Sequence, residues 1–470
     1  MVFSGITFLY FFLPLFFLLY AIAPRRFRNL ILLIGSIIFY AWGAPKFVFI
    51  LLASTAIDYF LVLRMHRSKG RLRKRLLSLS IVLNLGLLVY FKYMNFFVEN
   101  VNSVLMGLNI GHLNVAEIAL PIGISFYTFQ TLTYSIDIYR KQNKPLNSVT
   151  DYMLYIMMFP QLIAGPIVRY GLISEEIRNR EFKSNQIVDG FIRFSVGLAK
   201  KVIIANTMAE TADVIFAMSP GGWTSTIAWV GILAYTFQIY FDFAGYSDMA
   251  IGLGKMMGFR FPENFESPYT SSSITEFWRR WHITLGSFMR DYLYIPLGGS
   301  RKSTLLTYRN LFVVFLLSGL WHGASWNFIL WGAFHGFFLV TERLTGLSKT
   351  DRARWIRIPL TFFIVVLGWV VFRIEETEKI GLFYRALFDF SGTWPIQVFN
   401  TKFVVIGLIG LAFSFITLTK IGQHWSVHFF TQSYSNKSLF TYFSIAVVLF
   451  ILSSGYLATG AFNPFIYFRF

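Results

Sequence analysis

Apolar segments of about 20 residues recur along this chain and are separated by short polar loops. A helix of that length, at about 1.5 Å per residue, crosses a bilayer core of roughly 30 Å. The pattern predicts an all-α polytopic membrane protein with about 11–12 transmembrane or re-entrant helices. We place these at residues 5–23, 28–45, 47–63, 77–98, 115–136, 151–168, 190–216, 223–256, 311–341, 357–374, 402–420 and 438–460.

One predicted segment, residues 151–168, is interrupted by Pro160 and by the Gly165–Pro166 pair, which break a straight helix. Basic loops on both sides are expected to face the cytoplasm, so the segment would enter and leave the membrane on one side. Such backbone is tolerated at membrane depth only inside protein or beside a water-filled cavity.

Residues 258–309 form a second irregular region, which is too polar to span a membrane. Within it we predict an amphipathic helix over residues 275–291, with Ser273 or Thr275 as its N-cap. The apolar stretch 311–341 follows. It is either a broken re-entrant hairpin that bends near Gly319 and Gly323 or one long tilted span, and the sequence leaves both readings open.

Composition agrees with the membrane class, because 55% of the residues are hydrophobic and only 14% are charged, against about 25% charged in soluble domains. The chain has no cysteine, which excludes disulfides, thiolate metal sites and a cysteine nucleophile. Its net charge of +19 comes largely from loops such as residues 64–75, as the positive-inside rule expects, and does not indicate nucleic-acid binding. This rule places loop 64–75 in the cytoplasm and the N-terminus outside.

His322 is the strongest candidate for chemistry. It shares the 311–341 stretch with only one other ionisable side chain, His335. If the helix begins at Leu311, His322 lies roughly 16 Å along it, near the middle of the bilayer core. An ionisable group there is a functional candidate, and imidazole suits general acid–base work near neutral pH. The alternative is a histidine that bridges two helices by hydrogen bonds.

Helical geometry extends this prediction to the neighbours of His322. Ser318, His322 and Trp326 would share one helical face, and Gly319 would allow close approach of another backbone or a ligand. His335 would lie about 220° around the same helix, so we interpret it as structural.

Other polar residues supply further candidates, each with a structural alternative. His282 is either an interfacial histidine or a second polar group that faces the same cavity as His322. Arg279 and Arg280 suit a phosphate-bearing acyl donor or lipid head groups. Asp242 and Asp248 lie in an aromatic segment, and we interpret them as a proton relay, as a substrate contact or as members of structural ion pairs. His424 and His428 have metal-ligand spacing but no nearby carboxylate, so no metal is predicted.

Four further motifs stand at residues 161–166 (QLIAGP), 240–248 (YFDFAGYSD), 278–282 (WRRWH) and 321–323 (WHG). Together they resemble the membrane-bound O-acyltransferase family. The start of the chain, residues 1–4 (MVFS), and residues 39–43 (FYAWG) resemble the branch of that family that contains the alginate O-acetylation membrane protein. The resemblance implies a single acyltransferase domain over residues 1–470 with core motifs at about 115–345, a ring of helices around a thin centre, and catalytic roles for His322 and His282. The substrate- or donor-binding candidates are Trp278, Arg279, Arg280, Trp281, Trp321, Ser318, Asp242 and Tyr240.

The resemblance also predicts the reaction. An acyl group, expected to be acetyl, would pass from a cytoplasmic donor such as acetyl-CoA to a cell-envelope or secreted polysaccharide such as alginate. The expected acceptor is the polymer or an extracytoplasmic SGNH-type acetyltransferase. The expected location of the protein is the bacterial cytoplasmic membrane, and no bound cofactor is expected. The alternatives are a multi-pass transporter or flippase, or a non-catalytic scaffold for extracytoplasmic acetyltransferases. A transporter would more often show inverted repeats, and we find none.

Overall fold

The computed structural model describes residues 1–347, 353–390, 400–431, 436–460, 463, 465 and 466, and most of these residues are helical. These residues contain no strand apart from one isolated antiparallel bridge between Phe265 and Trp281. They form two compact units, Met1–Phe182 with Gly258–Phe261, and Lys183–Met257 with Pro262–Phe470. The predicted all-α class is confirmed.

Seven helices in the described ranges are long and apolar enough to cross a membrane, which confirms a polytopic membrane protein. The other predicted segments form shorter or interrupted helices. The seven are Phe47–Arg67, Gly70–Gly107, Ser225–Met256, Thr304–His322, Arg354–Arg373, Thr401–Leu418 and Ser438–Ala458.

The first unit confirms the predicted break in 151–168 and corrects the segment 115–136. Helix Val149–Met157 is capped by Met158, and Pro160 lies in the first turn of the short helix that follows, Phe159–Leu162. The segment predicted at 115–136 begins only at Ile124, because Gly123 has a φ of 79° and a Cβ there would lie 2.5 Å from the carbonyl oxygen of Leu162. The α-helices are Leu13–Ile22, Arg28–Gly43, Phe47–Arg67, Gly70–Leu88, Met94–Gly107, Ile124–Tyr139, Val149–Met157, Phe159–Leu162 and Tyr170–Arg178, with π turns at Phe8–Phe12 and Val89–Tyr93.

The second unit contains all the predicted chemistry-bearing residues. Its first two long helical stretches pack along each other, and short helices then lead to a pair of long helices at 304–345. The α-helices are Ser184–Ala199, Asn206–Phe216, Ser225–Met256, Ile274–Arg280, Ile283–Phe288, Thr304–His322, Trp326–Thr345, Arg354–Arg373, Thr377–Phe388, Thr401–Phe415, Lys420–Thr431 and Asn436–Ala458, with π turns at Lys200–Ala205 and Met289–Tyr294.

Helices Thr304–His322 and Trp326–Thr345 form a hairpin, so residues 311–341 are not one long span. The Ser303 side chain caps the first helix by accepting a hydrogen bond from the backbone N–H of Leu306. The two helices pack closely, since a Cβ at Gly319 would lie 2.1 Å from the carbonyl oxygen of Phe328. The hairpin therefore holds His322 at its bend.

Candidate active site

A short helix and a tight turn present His282. Ser273 caps helix Ile274–Arg280, as predicted, by accepting a hydrogen bond from the backbone N–H of Glu276. The prediction of one helix over 275–291 is wrong, because the chain turns at His282, whose φ of 45° and ψ of 54° are left-handed. A non-glycine residue in this region is strained, and such strain is often found at functional sites.

His282 is 1% exposed and lies in a defined polar and aromatic setting. Its Nδ1 is 3.0 Å from the side-chain oxygen of Asn264, and its ring packs edge-on against Phe243 with centroids 4.7 Å apart. The segment lies outside the seven candidate spans, and burial lowers the pKa of His282 to about 3. The imidazole is therefore neutral at physiological pH.

His322 is the last residue of its helix and is 4% exposed. The helix begins at Thr304, not Leu311, so the distance along the helix from which the mid-bilayer position was inferred is wrong. Trp326 belongs to the next helix and is 54% exposed, so Ser318, His322 and Trp326 do not share one helical face.

Aromatic rings enclose His322 and connect it to His282. The His322 ring packs against Trp331 and Phe372, with centroids 5.1 Å and 5.4 Å apart. Trp321 contacts both histidines, at 4.9 Å from His322 and 6.0 Å from His282. The structure thus brings together two of the histidines that the sequence singled out, in a largely apolar setting.

His335 was predicted to face away from His322 on one continuous helix, and this geometry is wrong. His335 lies on the second helix of the hairpin, and its ring is 5.0 Å from that of Trp331, which also contacts His322. It is fully buried, and Trp278 packs edge-on against it at 5.0 Å. Its position among indole rings favours the structural role that the sequence suggested.

Arg279 and Arg280 have different surroundings in the structure. Arg279 is exposed, whereas Arg280 forms a 2.7 Å salt bridge with Glu276 and donates a hydrogen bond to the hydroxyl of Thr270. Arg280 and Arg354 line a cavity of about 430 Å³. Burial alone would raise the pKa of Glu276, but hydrogen bonds from the Ser272 backbone and hydroxyl, together with the Arg280 charge, lower it below its usual value.

The two aspartates form buried ion pairs. Asp242 is 2.8 Å from the ammonium of Lys201, and its other oxygen accepts a hydrogen bond from the backbone N–H of Ile466. Asp248 pairs with Arg193 and Lys200, each at 2.6 Å. These contacts fit the structural alternative, with basic partners from the helix and π turn at 184–205.

The remaining candidates lie in the walls of the aromatic core. Trp281 packs against Tyr240 and Trp369, with ring centroids 6.0 Å and 4.9 Å apart. Trp278 contacts Trp331 at 5.4 Å, and Ser318 is buried one turn before His322. Among the described residues no group of three or more histidine or acidic side chains could hold a metal ion, and the side chain of His428 lies outside them.

Sequence reasoning missed two residues that shape this site. Asn264 hydrogen-bonds His282, and the carboxylate of Glu342 accepts hydrogen bonds from the backbone N–H groups of Ile274 and Thr275, which ties helix Ile274–Arg280 to the hairpin. His282 is 18 residues from Asn264, and Ile274 is 68 residues from Glu342, so the local sequence does not predict these contacts. The one signal for Asn264 is that it lies in the polar segment 263–267 before Pro268, within the region that the sequence marked as irregular.

Fold and site define a polytopic helical membrane protein with a buried histidine pair. The sequence matches the membrane-bound O-acyltransferase family over residues 73–376. It is 44% identical over 435 residues to the probable alginate O-acetylase AlgI of Pseudomonas aeruginosa, which covers 91% of this chain and 82% of the relative. It is 38% identical over 419 residues to the peptidoglycan O-acetyltransferase of Helicobacter pylori, covering 81% of this chain and 78% of the relative.

More distant similarity extends to the teichoic acid D-alanyltransferase of Bacillus subtilis, at 27% identity over 275 residues, which is 53% of this chain and 68% of the relative. The chain belongs to the membrane-bound O-acyltransferase family. It is therefore an O-acyltransferase, as the sequence motifs predicted.

Proposed function

We propose that this protein takes an acetyl group from a cytoplasmic donor and passes it across the membrane for O-acetylation of a cell-envelope or secreted polysaccharide such as alginate. The observation that carries the site assignment is the burial of His322 at the bend of the hairpin, one indole ring away from His282. The named activities of the relatives support acetylation of a polysaccharide.

His322 acts in this proposal as the general base that takes the proton of the attacking hydroxyl. Its place at a helix C-terminus supports this role, because the helix end stabilises the imidazolium that forms. His282 is the second polar group at the reacting atoms. Backbone N–H groups at the bend, those of Ala324 and Ser325, are candidate donors to the developing oxyanion, because the N–H of Gly323 already donates to the carbonyl of Gly319. No Gly-x-Ser-x-Gly motif is present, which favours direct transfer.

The donor proposed is acetyl-CoA or another phosphate-bearing acyl donor, and its phosphates would contact Arg280 and Arg354. Both arginines line the same cavity, and a planar guanidinium binds phosphate through paired hydrogen bonds. Thr270 and Gln423 supply further polar groups in its wall. The exposed Arg279 does not line this cavity and serves as the matched control.

The proposed acceptor is the polysaccharide itself or an extracytoplasmic SGNH-type acetyltransferase, and the proposed location is the bacterial cytoplasmic membrane with the N-terminus outside. We also propose that residues 1–470 work as a single acyltransferase domain. The test is ester-linked acetate on envelope and secreted polysaccharides in a deletion strain and in the strain that carries the gene again. Acetate should be lost and restored. Unchanged acetate on every polymer would contradict the proposed function.

A further inference from the structure

The turn that carries His282 is held by a residue that the reaction proposal does not use. The main-chain oxygen of Asn264 accepts a hydrogen bond from the backbone N–H of Ile283 at 3.0 Å. Its side-chain oxygen accepts from the backbone N–H of Thr284 at 3.3 Å and from the Thr284 hydroxyl at 2.8 Å. Asn264 is 1% exposed. It therefore fixes the backbone on the C-terminal side of His282 with both of its carbonyl groups.

These contacts determine which way the amide of Asn264 points. The oxygen and nitrogen of an asparagine amide are assigned from their hydrogen-bond partners. A backbone N–H only donates, so the atom that faces the Thr284 N–H has to be the amide oxygen. The nitrogen then points to the hydroxyl oxygen of Ser247, 3.1 Å away, which accepts its hydrogen bond. The reversed amide would set an NH₂ group against an N–H.

The amide orientation in turn fixes the tautomer of His282. The same Asn264 oxygen lies 3.0 Å from Nδ1 of His282, and an oxygen that only accepts needs a proton on Nδ1. In a neutral imidazole one nitrogen carries the proton and the other carries the lone pair. Nε2, on the opposite edge of the ring, is then the nitrogen with the lone pair.

We infer that Asn264 is a positioning residue that holds His282 in the Nδ1-protonated tautomer, so that Nε2 meets the substrate as a hydrogen-bond acceptor for a hydroxyl and not as a donor to an oxyanion. The inference rests on the proposed function for the identity of the substrate group. This inference assigns different roles to the two histidines. His322 removes the proton of the attacking hydroxyl, Nε2 of His282 accepts a hydrogen bond from a second, non-reacting hydroxyl of the substrate, and the oxyanion is left to backbone N–H groups.

The direct test is ¹⁵N NMR of histidine-labelled protein in lipid nanodiscs. The His282 signals are identified by their loss in His282→Gln. The expected result for the unchanged protein at pH 7 is a protonated Nδ1 and an unprotonated Nε2. A protonated Nε2 would overturn the inference. This measurement needs no substitution at Asn264, so it holds even if a variant there fails to fold.

Two variants of Asn264 separate positioning from a merely structural role. Asn264→Asp keeps an acceptor oxygen, so it should retain the tautomer and most of the activity. Asn264→Leu is close in size but cannot accept, so the Nδ1-protonated tautomer should be lost. The kcat should fall by up to about 10⁴-fold, the loss seen when the catalytic histidine of a serine protease is held in the wrong tautomer, while the KM for the donor stays unchanged. An unchanged tautomer in Asn264→Leu would contradict the inference.

Ser247→Ala is the matched control, because it removes the partner of the amide nitrogen and leaves the oxygen in place. Its tautomer should be that of the unchanged protein. The tautomer readout is independent of acyl transfer. If the tautomer is as expected but the protein transfers no acetyl group to any polymer, the proposed function fails while the assignment of the positioning residue stands.

Discussion

The closest approach of the hairpin helices makes Gly319 a sensitive position, and Gly319→Ala is the perturbation that probes it. A Cβ at this residue would lie 2.1 Å from the carbonyl oxygen of Phe328, while ordinary contact begins near 3.4 Å. The helices would have to separate by about 1.3 Å, because a backbone oxygen cannot rotate away as a side chain does. Gly319 is one helical turn from His322, so the separation would displace the predicted base.

The expected cost of Gly319→Ala is roughly 1–3 kcal/mol of stability from overpacking. A displacement of about 1 Å at the base costs up to about 10²-fold in acyl transfer. Gly381→Ala is the control. It is also a glycine inside a helix, but a Cβ there would meet nothing within 4 Å, so this change should be neutral or slightly stabilising. The assay is thermal unfolding together with acetate transfer per mole of membrane protein. Equal stability and activity for the two variants would refute the packing argument.

Three further predictions follow from single residues. Hydrogen bonds from Ser272 and the charge of Arg280 lower the pKa of Glu276 below its usual 4.5. The ionised Glu276 therefore contributes its full stability above about pH 4.5, and this stability is lost as the pH falls through the lowered pKa of the folded protein. Glu276→Gln should therefore lower the melting temperature at pH 7 and converge with the unchanged protein in acid, and a constant difference across pH would argue against it. A single cysteine in place of the exposed Lys69, which lies between helices Phe47–Arg67 and Gly70–Leu88, should react with an impermeant reagent only after the cells are opened, since this basic segment is expected to be cytoplasmic. Labelling in intact cells would contradict the predicted topology. Arg280→Ala should raise the KM for the donor in proteoliposomes while Arg279→Ala should not, and equal effects would exclude the cavity as the donor site.

Sequence reasoning succeeded where a local signal controls the backbone. Pro160 and Gly323 mark real interruptions, and Ser273 caps the helix that it was expected to cap. Proline removes a hydrogen-bond donor, and a serine hydroxyl accepts hydrogen bonds from free N–H groups, so a few neighbouring residues determine these effects. The family motifs assigned catalytic roles to His282 and His322, whereas the local pattern alone did not decide between a structural and a functional role for either histidine.

The errors arose where distant residues decide the structure. No glycine or proline marks the turn at His282. It is imposed by pairing with residues near Asn264, including a hydrogen bond from the Glu266 N–H to the carbonyl of Arg280. Likewise the partner of Asp242 is Lys201, 41 positions earlier on a π turn, where neither spacing nor composition indicated it. Tertiary contacts of this kind override local propensity, and they are the contacts that shape the candidate site.

The central claim is that His322 removes the proton of the attacking hydroxyl. The most direct test measures ester-linked acetate on polysaccharide in cells whose only form of the protein is His322→Gln. The acetate is normalised to the amount of inserted protein. Glutamine forms hydrogen bonds but takes no proton at neutral pH, so acetate transfer should fall roughly 10²–10⁴-fold. His335→Gln makes the same change at the other buried histidine of the hairpin and should retain substantial activity. Normal acetylation by His322→Gln would contradict the account, and the base would then have to be sought at His282.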